Sequence, residues 1–190
     1  MTGIRIRPAK PGDASRMAEL DKICFSQPWS KLAFTSELRE NSAAKYFVCV
    51  RASRIIGYAG AWAVLDEGHI TNVAVHPDFR RQGLAAMLLT ELIAYMVKNT
   101  ETLKFTLEVR ISNSGAIELY EKFGFERCGL RKKYYSDTME DAVIMWRSWR
   151  DGSGGNDDGD GGGWNGGDDR SDGGGWSDGA DRSDGGGENI

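Results

Sequence analysis

The stretch that decides the fold of this chain is Asn72–Ala85, NVAVHPDFRRQGLA. Its first four residues suit a buried strand, Gly83 marks a turn, and the apolar run from Leu84 predicts the start of a helix. The first N–H groups of a helix have no partner within it, and the helix dipole adds positive potential. This strand, turn and helix therefore predict a cradle for an anionic pyrophosphate, with Gly83 allowing the backbone to approach the anion closely.

A second stretch of the same kind follows at Leu107–Phe125, LEVRISNSGAIELYEKFGF. It predicts a strand, a turn and a helix that closes on Gly124. Either stretch alone could be an ordinary connection between a strand and a helix. Their combination favours two parts of one functional site.

The spacing within the first stretch resembles the acetyl-CoA signature of the GNAT superfamily of N-acyltransferases. That signature is a basic residue, two spacers, Gly, one spacer and then Gly or Ala, and its defined positions are occupied here by Arg80, Gly83 and Ala85. Ala85 replaces the commoner second Gly, for which we expect at most a modest loss of cofactor affinity. The resemblance covers residues 4–149 and is closest to the RimI-type alanine N-acetyltransferases of a small-subunit ribosomal protein. Four stretches carry it: PWS at 28–30, residues 72–85, residues 107–125, and KYY at 133–135 with EDAVIM at 140–145.

The order of the elements and the resemblance predict an α/β fold over residues 1–150, a single GNAT-type domain with a mixed, mostly antiparallel central sheet flanked by about four helices. Strands are expected at 4–7, 45–50, 55–64, 69–75, 105–109, 125–127 and 142–149. Helices are expected up to Cys24 and over 30–41, 84–97 and 116–123. Asp13 is expected to cap the first of them.

Two side chains are expected to carry the chemistry, because acetyl transfer requires a base for the amine and a proton for the departing thiolate. The resemblance implies Glu108 as the general base and Tyr120 as the general acid. A carboxylate in an apolar strand can accept a proton directly or through a water molecule. Structural alternatives stay open for both residues. Glu108 could be an edge-strand residue that faces solvent, or it could pair with Arg110. Tyr120 could be a half-buried core residue beside Ile117 and Phe123, as helical spacing alone favours.

The resemblance also implies how acetyl-CoA, the co-substrate, is bound. Backbone groups of Val73, Ala74 and Val75 are expected to pair with the pantetheine arm and to polarise the acetyl carbonyl. Asn113 is expected to bond the same arm, to cap the following helix, or to do both. The other expected cofactor-binding residues are Arg80, Arg81, Gln82, Gly83, Leu84, Ala85, Ala86 and Lys122. No metal site is predicted, and neither His69 nor His76 is assigned a role.

The composition changes sharply after Arg150. Residues 151–190 contain 16 of the 25 glycines and carry a net charge of −9, whereas residues 1–150 carry +5. Such a Gly- and Asp-rich, low-complexity segment cannot bury enough apolar surface to offset its chain entropy, so we predict a disordered tail. Its repeat, DRSDGGG at 169–175 and 181–187, lacks the nine-residue period of calcium-binding solenoids. One hypothesis is that this acidic tail screens the basic domain or competes with its substrate, which deletion of the tail would test.

The cysteines and the distribution of apolar residues indicate the cellular compartment of the protein. Cys24, Cys49 and Cys128 show no metal-ligand spacing, which favours a reduced, cytoplasmic protein. No apolar run approaches the ~20 residues of a membrane span. The scattered basic residues predict no direct nucleic-acid partner. The sequence predicts no oligomeric state.

These observations predict transfer of an acetyl group from acetyl-CoA to the N-terminal α-amine of a protein by direct attack. The favoured acceptor is the N-terminal alanine of a small-subunit ribosomal protein. One alternative acceptor is a small amine or another protein N-terminus. The loops between the first two helices and between the last two strands set specificity, and one sequence does not rank these acceptors. A second alternative is a non-catalytic acyl-CoA-binding module, which would need the cradle but neither Glu108 nor Tyr120.

Overall fold

The structure is a computed structural model that describes residues 3–148. Within that range the strands are β1 Ile4–Pro8, β2 Ala44–Arg51, β3 Arg54–Val64, β4 Glu67–Val75, β5 Lys104–Arg110, β6 Glu126–Tyr135 and β7 Glu140–Ser148. The α-helices are α1 Ala14–Cys24, α2 Lys31–Arg39, α3 Leu84–Asn99 and α4 Ser114–Lys122. The predicted disordered tail and the last residue of the predicted final strand lie outside the described residues.

All the strands belong to one sheet, in the order β1-β2-β3-β4-β5-β7-β6. In the described sheet β4 and β5 are parallel and every other neighbouring pair is antiparallel. The predicted α/β fold with a mixed, mostly antiparallel sheet and four helices is therefore confirmed. β6 is much longer than the predicted strand at 125–127. This edge strand is exposed until Tyr135, so it lacks the alternation of buried and exposed residues by which strands are recognised.

The two faces of the sheet are covered by different helices. The main core lies under α3 and α4 and includes Leu88, Leu92, Leu107 and Tyr120. A second core lies under α1 and α2, which pack on β2, β3 and β4. On this second face Lys104, Glu108 and Arg110 of β5 are only partly buried, which leaves room for a polar site.

The centre of the sheet opens between its two parallel strands. β4 pairs with β5 over Glu67–Ile70 and Lys104–Leu107, and in the described chain this pairing does not continue beyond Ile70 and Leu107. The register between β3 and β4 shifts next to this point and leaves Thr71 as an extra residue. Such a β-bulge bends its strand and increases the local twist. The ends of β4 and β5 therefore diverge, and we call the space between Thr71–Val75 and Glu108–Arg110 the central opening.

The turn before α3 uses two residues in the left-handed backbone region. Gly83, the N-cap of α3, has a φ of 78°, and Arg81 has a φ of 59°. A Cβ added to Gly83 would meet no protein atom within 4 Å. Within the protein itself, glycine is therefore required by the backbone conformation and not by close packing.

Asp13 occupies the N-cap position of α1, as predicted, but its side chain makes no capping hydrogen bond to the helix. A 3₁₀ turn at Pro11–Asp13 precedes the helix and gives Asp13 a helical backbone, so its side chain points back along the chain. Its carboxylate accepts hydrogen bonds from the Arg7 guanidinium at 2.7 and 2.9 Å and from the Lys10 N–H at 2.8 Å. These partners lower the pKa of Asp13, the Arg7 hydrogen bond most of all. Asp13 thus ties β1 to the start of α1.

The start of α2 agrees with the prediction, whereas the helix ends at Arg39, before the predicted end at residue 41. Ser30 is the N-cap of α2 and accepts a hydrogen bond from the Ala33 N–H at 3.1 Å. Of the helices in residues 3–148, none is both long enough and apolar enough to cross a membrane.

Candidate active site

A cleft of about 400 Å³ lies between the turn that precedes α3 and the first turns of α4. Its lining contains nine of the twelve residues predicted to bind the cofactor: Val75, Arg80, Arg81, Gly83, Leu84, Ala85, Ala86, Asn113 and Lys122. Five further lining residues were not predicted: Phe79, Gly115, Ala116, Glu118 and Leu119. The unpredicted residues on α4 recur at helical spacing and lie on the same face of the helix as Lys122. They could therefore have been predicted from the sequence once Lys122 was assigned to the site.

Three of the predicted residues do not line this cleft. Val73 is buried in the main core and Ala74 in the second core, so only their backbone groups can face the central opening. Gln82 turns back, and its side-chain amide donates to the Asp78 carbonyl at 3.4 Å.

Arg80 braces the end of β4 in addition to lining the cleft. Its Nε donates to the Val75 carbonyl at 3.0 Å. The Cys24 thiol lies 3.6 Å from the same carbonyl, and burial raises the pKa of this thiol, so it stays neutral and can donate. The backbone where β4 ends is therefore held from two sides beside the cleft.

The cleft has the chemical character of a site for an elongated anion. Exposed Arg80, Arg81 and Lys122 supply positive charge at its rim, and the N-terminus of α3 supplies unpaired N–H groups. Its walls between these charges are partly apolar, with Val75, Leu84, Ala85, Ala116 and Leu119. Glu118 is the carboxylate in the lining. These residues fit a ligand that carries phosphates at one end and a less polar arm, as coenzyme A does.

Glu108 is half-buried on the face of β5 that α1 and α2 share. Its neighbours in β5, Leu107 and Val109, point into the main core on the other face. Arg131 of β6 approaches its carboxylate, with Nη1 3.3 Å from Oε1. The predicted alternative that Glu108 is an edge-strand residue is wrong, because β5 lies between β4 and β7.

Tyr120 is fully buried in the main core, where its ring packs edge-on against Phe125 at 5.8 Å. Its hydroxyl has no hydrogen-bond partner among the described residues. Burial, with a smaller contribution from Tyr135, raises the pKa of Tyr120 and keeps the phenol protonated. A buried hydroxyl without a partner costs about 1–3 kcal/mol, so phenylalanine would suit this position better if packing were its whole role.

Asn113 is the N-cap of α4, and its Oδ1 accepts a hydrogen bond from the Ala116 N–H at 3.3 Å. The capping alternative is therefore confirmed. Asn113 also lines the cleft, so a second role toward the pantetheine arm stays a prediction.

Glu108 and Tyr120 lie on opposite faces of the sheet. Glu108 belongs to the face under α1 and α2, whereas Tyr120 belongs to the core under α3 and α4. The cleft lies on the side of α3 and α4. The geometry therefore offers one side for an acyl carrier and the other for an acceptor.

The comparison with known protein families agrees with this geometry. Residues 14–125 match the acetyltransferase (GNAT) family. The chain belongs to this family. It is an N-acetyltransferase of the class that uses acetyl-CoA, so the non-catalytic alternative is not retained.

Two curated relatives of this acetyltransferase are similar over most of the described domain. The putative [ribosomal protein bS18]-alanine N-acetyltransferase of Bacillus subtilis strain 168 is 39% identical over 145 residues, which are 76% of this chain and 95% of the relative. The [ribosomal protein bS18]-alanine N-acetyltransferase of Escherichia coli strain K12 is 40% identical over 130 residues, which are 66% of this chain and 84% of the relative. The predicted resemblance to RimI-type enzymes is confirmed.

Solved structures show the same fold. The crystal structure of the ribosomal-protein-S18-alanine N-acetyltransferase from Escherichia coli has a TM-score of 0.71 and 33% identity, covering 79% of this acetyltransferase and 97% of that chain. Ard1 from Thermoplasma volcanium also has a TM-score of 0.71, with 25% identity, over 79% of this chain and 100% of that chain.

Proposed function

We propose that this acetyltransferase transfers the acetyl group of acetyl-CoA to the N-terminal α-amine of a protein, with the N-terminal alanine of a small-subunit ribosomal protein as its acceptor. The observation that carries the proposal is the central opening, with a half-buried carboxylate on one face and a buried, unpartnered phenol on the other. This arrangement supports direct transfer without a covalent acyl-enzyme.

Glu108 is proposed as the general base. An α-amine with a reference pKa near 7.8 costs roughly 1 kcal/mol to deprotonate at pH 7, whereas a lysine near 10.4 costs roughly 4–5 kcal/mol. A carboxylate acting directly or through a water molecule can meet the smaller demand. The need for only a modest base favours an N-terminal amine over a lysine.

Tyr120 is proposed as the proton donor to the leaving group. Acetyl-CoA supplies an activated thioester and a thiolate as leaving group, whose charge must be neutralised. The raised pKa of Tyr120 keeps its proton available at neutral pH. A thiol has a reference pKa of about 8.5, below the value of about 10 for a phenol, so complete proton transfer from Tyr120 to the thiolate is uphill. A hydrogen bond from Tyr120 to the developing negative charge costs less free energy.

The cleft is proposed to hold acetyl-CoA. Arg80, Arg81 and Lys122 would attract its phosphates, and the N–H groups at the start of α3 would bind them. The backbone of Val73, Ala74 and Val75, together with Asn113, would hold the pantetheine arm. The divergence of β4 from β5 supports this assignment, because it leaves the inner edge of β4 without a strand neighbour over these residues.

The choice of acceptor rests on the relatives. The two curated relatives and one solved structure are named for the alanine of ribosomal protein bS18, and this chain covers 84–97% of their length. An acceptor of this kind would place the enzyme in the cytoplasm, as the sequence predicts. A small amine or another protein N-terminus is the alternative that an experiment must separate.

The test is release of free CoA together with the mass shift of the acceptor. The protein is mixed with acetyl-CoA and either a peptide that begins with alanine or its N-terminally blocked twin that contains lysine. We expect acetylation of the open peptide alone. Acetylation of both peptides would indicate a broader amine acetyltransferase, and transfer to neither would reject a protein N-terminus as acceptor.

A further inference from the structure

A network of charged side chains holds the tip of the β6–β7 hairpin against the end of β5. Arg110 donates from Nη2 to both carboxylate oxygens of Asp137, at 2.8 and 2.9 Å. Its Nη1 donates to the Thr138 hydroxyl at 2.7 Å and approaches Glu140 at 3.4 Å. The same guanidinium lies 3.9 Å from the centre of the Tyr135 ring. The Arg110 side chain is only 13% exposed, whereas Ser26, Asp137 and Thr138 lie at the surface.

The network continues across to the loop between α1 and α2. The Ser26 hydroxyl of that loop donates to Asp137 Oδ2 at 2.6 Å. Next to it, the Gln27 side chain donates to the Ser136 hydroxyl at 3.3 Å. The hydrogen bond from Ser26 and then that from Arg110 lower the pKa of Asp137 to about 2, so the carboxylate is ionised at any physiological pH. Two loops that are distant in the sequence are thereby joined through one anion.

This junction between the two loops lies beside Glu108, the proposed base, and further along β5. Arg110 and Glu108 are two residues apart in β5 and project from the same face, so their Cα atoms are separated by roughly 7 Å. That distance is about twice the advance of one residue in an extended chain. An acceptor whose amine reaches Glu108 would therefore have its following residues beside the junction, not at the site of chemistry.

We propose that Ser26, Asp137 and Arg110 form a latch that positions the acceptor peptide. By fixing the α1–α2 loop against the tip of the β6–β7 hairpin, the latch defines the walls of the entrance through which an extended N-terminal segment passes. Its members are positioning residues and touch no reacting atom. The inference rests on the proposed function, because it assumes an acceptor that continues beyond its first residue.

The test compares a long and a short acceptor in latch variants. KM and kcat are measured for an alanine-start hexapeptide and for alanine amide, which ends before the latch, with Ser26→Ala, Ser26→Thr and Asp137→Asn. Loss of a hydrogen bond to a charged group corresponds to about a tenfold effect or more. We expect Ser26→Ala and Asp137→Asn to raise KM for the hexapeptide about tenfold, with kcat, the Kd for acetyl-CoA and the kcat/KM for alanine amide near wild type. Ser26→Thr keeps the hydroxyl and should restore the hexapeptide KM.

Ser36→Ala is the matched control, because Ser36 makes the same kind of hydrogen bond, at 2.7 Å to Glu40 at the C-cap of its own helix, and bridges no loops. It should leave both acceptors unaffected. A wild-type hexapeptide KM in Ser26→Ala and Asp137→Asn would overturn the latch while leaving the proposed function intact. Equal losses for both acceptors would also overturn it, since they would indicate a general structural role. No transfer to the hexapeptide by the wild-type protein would reject the proposed function, and the latch with it.

Discussion

Arg131 of β6 places its guanidinium 3.3 Å from the carboxylate of Glu108, across the face of the sheet where the acceptor is proposed to bind. The Arg131 side chain is 55% exposed, and exposed ion pairs contribute about 0–1 kcal/mol. An incoming amine must share or displace this cation. We therefore predict that Arg131→Met lowers KM for an alanine-start peptide about twofold to fivefold, with little change in Tm. Steady-state kinetics check this, and a higher KM would instead indicate that Arg131 contacts the acceptor.

Glu108→Gln should reduce kcat by about 10²–10⁴, because it removes the proposed base but keeps the size of the side chain. The cleft lies on the other face of the sheet, so the Kd for acetyl-CoA should remain within about twofold of wild type. CoA release and calorimetric titration measure the two quantities. Glu121→Gln, at an exposed ion pair with Arg127, is a control of the same chemistry and should retain full activity.

Tyr120→Phe should lower activity without lowering stability. Removing a buried hydroxyl that has no partner in the described protein should leave the free energy of unfolding unchanged or raise it by up to about 1–3 kcal/mol. The same change should lower kcat about 10²- to 10³-fold, since one hydrogen bond to the leaving group is lost. Chemical denaturation and steady-state kinetics measure the two effects on one preparation.

Tyr58→Phe is the matched control for that prediction. The Tyr58 hydroxyl is also fully buried, but it donates to the carboxylate of Asp21. Its removal leaves a buried carboxylate with one donor fewer, so this variant should be less stable than wild type. If Tyr120→Phe were destabilising to the same extent and fully active, the assignment of Tyr120 as proton donor would be wrong.

The two strand–turn–helix stretches predicted from the sequence are local features, which explains why the cleft could be foreseen. Gly83 and Asn113 act within a few residues of their own position, at the starts of α3 and α4. The opening between β4 and β5 depends instead on a one-residue register shift at Thr71. The periodicity of apolar residues in the sequence does not indicate this shift. The face assigned to Glu108 was likewise visible only once its neighbours in the sheet were known.

Contacts between segments that are distant in the sequence could not be predicted from it. Ser26 and Asp137 are 111 positions apart, and nothing in either loop indicates that they meet. Arg131 reaches Glu108 from β6, whose charged and exposed residues carry no strand pattern. Asp13 lies at the predicted N-cap position, but its side chain does not cap the helix because it binds an arginine six residues earlier. The cofactor side of the site is thus local in origin, whereas the acceptor side is assembled from long-range contacts.

Gly83→Ala should weaken acetyl-CoA binding through the backbone. The φ of 78° at Gly83 is unfavourable for a residue with a Cβ by roughly 1–2 kcal/mol, although the Cβ itself would meet no protein atom. Relief of that strain would turn the first N–H groups of α3 away from the cleft. We expect the Kd for acetyl-CoA to rise about tenfold, measured by calorimetry. Gly12→Ala is the control, because Gly12 has equal space and no positive φ.

Acid stability should depend on the latch carboxylate. The pKa of Asp137 is lowered to about 2 in the folded protein, against an ordinary value of 3.8. A lowered pKa means that the folded state binds this proton less readily than the unfolded state does. The contribution of Asp137 to stability is therefore complete above about pH 5 and is lost as the pH falls from about 4 toward 2.

Asp137→Asn should remove that dependence. Its Tm should be lower than wild type at pH 7. The difference should shrink as the pH falls to about 3, because Asp137 of the unfolded wild-type chain then binds a proton, which stabilises the unfolded state. Thermal melts between pH 7 and pH 3 measure the difference. Asp13 and Asp141, whose pKa values are lowered by partners outside this network, remain in both proteins and contribute the same acid sensitivity to each. A Tm difference that stays constant over this range would mean that Asp137 is not held as an anion by Ser26 and Arg110.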